Sequence, residues 1–203
     1  MATHAEYGSA LQTRFTPHIC GVGPVEAALN TTAFLSKERP DLVVSLGSAG
    51  SAVLEQASIY QVSGVSYRDM DASAFGFPKG ETPFLGLPHE IETGLALPNI
   101  PSARLSTGAN VISGDGYDTV DADMVDMESW AILRACHAHN VPMVGLRGIS
   151  DGAEPVAEYS DWTRYLGVID ERLADAVDIL EVEIEANRLP LKGWQSPQPE
   201  TPS

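Results

Sequence analysis

Hydrophobic positions along the chain fall into two periods that alternate. Gly23-Pro24-Val25 opens a helical pattern that runs to Arg39, with Pro in its first turn and Pro40 as its stop. Leu42-Val43-Val44-Ser45-Leu46 follows as a short apolar run ending in Gly47-Ser48-Ala49-Gly50, which reads as a strand buried on both faces. Ser58 to Ser66 alternates moderately and reads as a second strand, and Ala103 to Ile112 as another. Residues 69–101 are rich in Pro and Gly and read mostly as loop. Asp126 to Asn140 has a helical pattern, and Val141-Pro142-Met143-Val144-Gly145-Leu146 reads as a strand with Pro near its start. From Glu158 to Asn187, Trp162, Tyr165, Leu166, Ile169, Leu173, Val177, Leu180 and Ile184 recur at steps of three to four, which predicts one long amphipathic helix closed by Pro190.

Strands alternating with helices predict an α/β fold: a single domain over residues 1–188, with a central mixed, largely parallel sheet flanked by helices. Residues 189–203, rich in Pro, Ser and Gln, read as a disordered tail. The chain has 203 residues, which allows one domain at roughly 100–200 residues each. In such sheets ligands sit beyond the carboxyl ends of the strands, so the segments following the strands are where chemistry is expected.

Charge removes several classes of function. Twelve Lys and Arg stand against 28 Asp and Glu, a formal net charge of −16. Nucleic acid and anionic lipid both need clustered cations, and none are clustered here. No signal peptide is evident at the start of the chain, and no apolar run reaches the roughly 18 residues needed to cross a membrane. Cys20 and Cys136 form neither a CxxC nor a metal spacing, so a reducing, cytoplasmic setting is expected. His137 and His139 lie two apart on a helical pattern, where they do not share a face, so neither metal nor organic cofactor is implied.

Four segments could carry chemistry. Gly47-Ser48-Ala49-Gly50 offers backbone donors and close approach, or merely a tight turn. Val125-Asp126-Met127-Glu128 places carboxylates where sugar hydroxyls could be bound, or is an acidic first helical turn favoured by the helix dipole. Arg147-Gly148-Ile149-Ser150-Asp151 offers an Asp that a closed pocket would keep protonated, or a solvated turn cap. Tyr67 to Phe77 carries more aromatics than a loop can bury, which favours an interface or a ligand wall.

Together and in this order, these segments resemble the 5′-methylthioadenosine/S-adenosylhomocysteine nucleosidases of the nucleoside phosphorylase superfamily. Val125-Asp126-Met127-Glu128 is similar to the family's V-E-M-E, Arg147 to Asp151 to R-x-I-S-D, and Gly47 to Gly50 to G-S-A-G. Gly21 to Ala28 resembles G-I-G-K-V-x-A-A, and Tyr67-Arg68-Asp69-Met70-Asp71 with Ala74 to Phe77 resembles Y-H-D-x-D…A-F-G-Y. The similarity covers about residues 2–185. It implies a nucleoside phosphorylase-like fold and hydrolysis of the N-glycosidic bond of methylthioadenosine or S-adenosylhomocysteine. Asp151 would protonate purine N7, held by Ser150, and Glu6, in a segment similar to A-M-E-E-E, would activate water. Glu128 would bind the ribose hydroxyls beside Met127, with Ser48, Ala49 and Gly50 lining the ribose. Trp162 falls near an aromatic that closes over the base, and Asp151 in place of Asn favours a 6-aminopurine. Phe75 and Pro83 resemble positions that reach the neighbouring subunit's site, which implies a homodimer.

The chain departs from the family at two places. Met1-Ala2-Thr3 stands where the family's first strand ends, so the sheet is expected to lack that strand and the loop carrying Glu6 its anchor. The family's S-G-D-A-F-I can be matched by Thr107 to Ile112 or by Ser113 to Tyr117; the first needs the smaller deletion and puts Val111 and Ile112 against the base. Segments 1–13 and 47–58 hold no Arg or Lys, and Glu6 would repel phosphate, so water is favoured over phosphorolysis. Two other readings compete: a phosphorylase or hydrolase of another purine nucleoside such as futalosine, and a non-catalytic nucleoside-binding protein on the same scaffold.

Overall fold

The computed structural model describes residues 1–152, 154, 156–191 and 194–196. The most apolar runs form the long strands. Val43–Gly50 (β1), Ile59–Tyr67 (β2), Glu90–Glu92 (β3), Ser102–Thr107 (β4), Met124–Asp126 (β5) and Met143–Asp151 (β6) join in the order β3-β2-β4-β5-β1-β6. β2 also pairs with β6, so five of the strands close into a ring. Neighbours run parallel at β1–β6, β2–β4 and β4–β5, and antiparallel at β1–β5, β2–β3 and β2–β6, so the sheet is mixed.

Helices pack around this ring. Ser9–Gln12 (α1) is one turn. Pro24–Lys37 (α2) starts with its Pro in the first turn and buries Ala27, Thr31 and Leu35, spaced four apart on one face. Ser129–Ala138 (α3) joins α2, Met143 and Ile149 in one apolar cluster. Tyr159–Thr163 (α4) is short, and Leu166–Glu185 (α5) lays Ile169, Leu173, Val177 and Leu180 into a second cluster with Leu11, Val144 and Leu146. Gly148 on β6 admits this contact, because a Cβ there would lie 2.4 Å from Ile169.

Several expectations are corrected. The predicted helix over 158–187 is two helices. The Arg164 amide closes α4 onto the Ser160 carbonyl, and α5 begins again with Ile169 N–H on the Tyr165 carbonyl. The two pieces bury different faces: Trp162 of α4 lines a cavity at the strand ends, whereas α5 covers the sheet. Asp126 belongs to a strand rather than to the first turn of a helix, and α3 starts only at Ser129. Its carboxylate caps that helix from outside, accepting the Ser129 amide at 3.0 Å.

The strand expected over 103–112 ends at Thr107. Beyond it the chain is drawn off the sheet by Arg68, which donates to the Asn110 carbonyl, and by Asp69, which accepts the Ala109 amide. Gly47 to Gly50 and Arg147 to Asp151 are not turns after strands. They continue β1 and β6, paired Gly47↔Arg147 and Ser48↔Gly148, with a bulge at Ala49/Gly50.

Among the described residues no strand precedes β1. The start of the chain is tied down instead by Cys20 N–H donating to the Met1 carbonyl and Gly21 N–H to the Ala2 carbonyl. Of the segment expected to be a disordered tail, Leu189 and Leu191 pack on the second cluster and Trp194 lies 6.0 Å from the His137 ring. Residues 192–193 and 197–203 lie outside the described residues.

Candidate active site

The ends of β1, β5 and β6 surround a cavity of about 590 Å³. Three acids converge on it from three elements: Glu6 from a single 3₁₀ turn, Glu128 from the residue before α3, and Asp151 from the last position of β6. A second cavity of about 390 Å³, walled by residues such as Phe15, Phe34, Leu42 and Val43, holds none of these three.

Glu6 is 8% exposed. Its Oε1 accepts the Ser48 amide at 2.7 Å and the Ser48 hydroxyl at 2.8 Å. Its Oε2 is buried and has no partner among the described residues. The Trp162 indole donates to Ser48 Oγ at 2.9 Å.

Glu128 Oε1 accepts the Gly23 amide at 2.8 Å. Burial pushes the Glu128 carboxyl up to about 7, and the charge of Asp126 adds to this; the Gly23 amide and Arg147 pull it partly back. Asp126 itself is compensated. Its Oδ1 takes the Thr107 hydroxyl at 2.7 Å, and its Oδ2 takes Arg147 at 3.1 Å, in a pair 3% and 2% exposed. The remaining Arg147 donors are satisfied by Ser45 and Ser129, so this buried pair leaves few lone pairs unmet.

Asp151 is also displaced upward by burial, against the Ser150 hydroxyl, which donates to its Oδ1. Gly50 is required beside it. A Cβ there would lie 2.4 Å from the Tyr117 hydroxyl and 2.9 Å from Asp151 Oδ2.

Most of the residues expected from the sequence are brought together. Ser48, Ala49, Gly50, Met127, Glu128, Ser150, Asp151, Glu6 and Trp162 all line the cavity. Val111 and Ile112 line it as well. Tyr117, from the competing segment, reaches the neighbourhood of Asp151 from behind Gly50. Phe75 and Pro83 do not line their own chain's cavity, and Phe75 is 84% exposed.

Arg68 was not expected in the wall. Its only sequence signal is that it stands where the resembled motif has His. It donates to the carbonyls of Ser106, Asp126 and Asn110, welding the ends of β4 and β5 to the loop that carries Val111. Arg68 Nη1 and Nη2 and the Arg147 guanidinium are thus engaged by the protein itself, while Arg68 Nε is buried with no partner among the described residues.

A model of the phosphorylase superfamily matches residues 105–180. The chain is 34% identical over 159 residues to the 5′-methylthioadenosine/S-adenosylhomocysteine nucleosidase of Haemophilus influenzae, covering 69% of each chain. It is 32% identical over 159 residues to that of Staphylococcus aureus, with the same coverage. Among solved structures, the nucleosidase of Colwellia psychrerythraea in complex with adenine superposes with a TM-score of 0.66 at 26% identity, covering 80% of this chain and 76% of that one. Futalosine hydrolase of Helicobacter pylori shares the fold, with a TM-score of 0.72 at 23% identity over 81% and 78%. By its sequence identity to these relatives over more than two thirds of their length, this chain belongs to the 5′-methylthioadenosine/S-adenosylhomocysteine nucleosidase family.

Proposed function

We propose that this chain hydrolyses the N-glycosidic bond of 5′-methylthioadenosine, S-adenosylhomocysteine or both, releasing adenine and the 5-thioribose product. One observation carries the reading: three acids from three elements converge on one cavity, and burial raises the carboxyls of Glu128 and Asp151. Cleavage of the bond puts positive charge on the ribose and electrons on the purine. Asp151, whose carboxyl burial shifts upward, is the acid that gives a proton to N7 and makes adenine a neutral leaving group. Glu128, fixed through Gly23, accepts the ribose hydroxyls, with Met127 packed near the sugar. Glu6 takes a proton from water on its free Oε2 while the water oxygen attacks C1′. Ser48, Ala49 and Gly50 wall the ribose; Ser150 steadies Asp151; Val111, Ile112 and Trp162 bound the base. Phe75 and Pro83, being outside their own cavity, complete the site of a second copy in a homodimer. Among the described residues no helix is long and apolar enough to cross a membrane. Two free buried thiols suit a reducing, cytoplasmic setting.

The deciding measurement is adenine release from methylthioadenosine in phosphate-free buffer. Wild type is expected to turn over without phosphate, and Asp151→Asn to lose at least about 10²-fold in kcat/KM. A second reading, hydrolysis of futalosine, is supported by the shared fold with futalosine hydrolase. Hypoxanthine release from futalosine, with methylthioadenosine left intact, would establish it instead.

A further inference from the structure

Trp162 does more than form a wall. It sits on α4, whose start is fixed by a reciprocal cap: Asp161 accepts the Glu158 amide at 3.0 Å and the Ala157 amide at 2.9 Å. Tyr159, one turn earlier, packs edge-on against the indole, with centroids 5.2 Å apart at 67°. The indole is therefore held at both its helix and its ring.

An indole N–H can only donate. Its bond to Ser48 Oγ, at 2.9 Å, occupies a lone pair of that oxygen and leaves the hydroxyl hydrogen for Glu6 Oε1, at 2.8 Å. The Ser48 amide reaches the same Oε1 at 2.7 Å. Two donors thus converge on one carboxylate oxygen, and Oε2 is left buried and unpartnered. Without the indole, the Ser48 hydroxyl is a free rotor that can turn to a sugar hydroxyl or to water. Glu6 would then lose one of the two bonds that select its orientation.

We infer that Trp162 is a positioning residue for the general base: its indole N–H locks the Ser48 hydroxyl onto Glu6 Oε1 and so keeps Oε2 free for the attacking water. In the step it serves, water donates a proton to Oε2 as its oxygen bonds to C1′. The C1′–N9 pair departs with the purine, which receives its proton from Asp151. The inference rests on the hydrolytic reading above.

Trp162→Phe keeps an aromatic ring and removes only the N–H. It is expected to lower kcat on methylthioadenosine about tenfold with KM changed less than about threefold, because the missing bond orients the base rather than holding substrate. In a Ser48→Ala background, where there is no hydroxyl to orient, the same change is expected to cost less than about twofold. The indole N–H resonance of Trp162 in the full chain is expected to shift when Ser48 becomes Ala. A raised KM with unchanged kcat would overturn the inference and leave Trp162 as a wall alone. So would an equal loss in both backgrounds, or an indole resonance indifferent to Ser48→Ala. If wild type releases no nucleobase, the functional reading falls and this inference with it. If wild type is active and Trp162→Phe is equally active, only the inference falls.

Discussion

Glu128 and Asp126 stand two residues apart, yet their surroundings give them opposite tasks. Asp126 is neutralised by Arg147, Thr107 and Ser129, so it serves as structure. Glu128 has one amide donor and a buried site, and its carboxyl sits at about 7. An acid with a raised pKa is neutral below that value, and only its charged form accepts two ribose hydroxyls well. The kcat/KM for methylthioadenosine is therefore expected to rise with pH through about 7. Glu128→Gln is expected to lower kcat/KM by about 10²-fold and to abolish the rising limb, a pH–rate profile being the check. At this scale the acids were legible because each lies in a short motif. Arg68 and Tyr117 were not, since the carbonyls that Arg68 binds and the glycine that Tyr117 overhangs lie tens of residues away.

At the scale of elements, the question is what holds the turn carrying Glu6. No strand precedes it among the described residues, and α5 supplies the anchor. Buried Asp170 accepts the amides of Gly8 at 2.9 Å, Ala10 at 2.8 Å and Leu11 at 3.3 Å, capping α1 immediately after the Glu6 turn. Gly8 has no Cβ, which would stand 2.5 Å from that carboxylate. Asp170→Ala removes three charge-assisted bonds and is expected to cost about 2–3 kcal/mol in unfolding free energy. It is also expected to lower kcat together with stability, because Glu6 loses its tether; thermal melting and the adenine assay read the two effects. The amphipathic helices were legible from their periodicity. The extension of β1 and β6 through their glycines was not, because each glycine is held in a strand by a residue about 100 positions distant. Nor was the break between α4 and α5, where continuous periodicity conceals two faces buried against different things.

For the molecule as a whole, the exposed aromatics matter most. Phe75 is 84% exposed and Phe84 is 96% exposed, the latter edge-on to Phe77 at 5.5 Å. These exposed rings are the surface on which the proposed homodimer would rest. Sedimentation is expected to show a species of twice the 21.6 kDa chain mass. Phe84→Asp is expected to shift it toward the single chain, and Phe75→Asp to do the same while raising KM. Each copy carries a net charge of −16, so raising the ionic strength is expected to favour association of two copies by screening their repulsion.

The sequence by itself determined the inventory: an α/β order of strands and helices, three acids each within a short motif, and a family resemblance strong enough to name a reaction. Those are properties of local pattern and residue type, which the chain carries in any conformation. Only the tertiary structure decided which carboxylate is neutralised by Arg147, which is left near pH 7, and which oxygen of Glu6 stays free. It also decided that Trp162 donates to Ser48 rather than merely covering a base. The reason is physical: a carboxylate's proton affinity and open lone pairs are set by burial and by donors that approach through space. For Glu6, Glu128 and Asp126, several of those donors arrive from residues more than 20, and up to about 100, positions away along the chain.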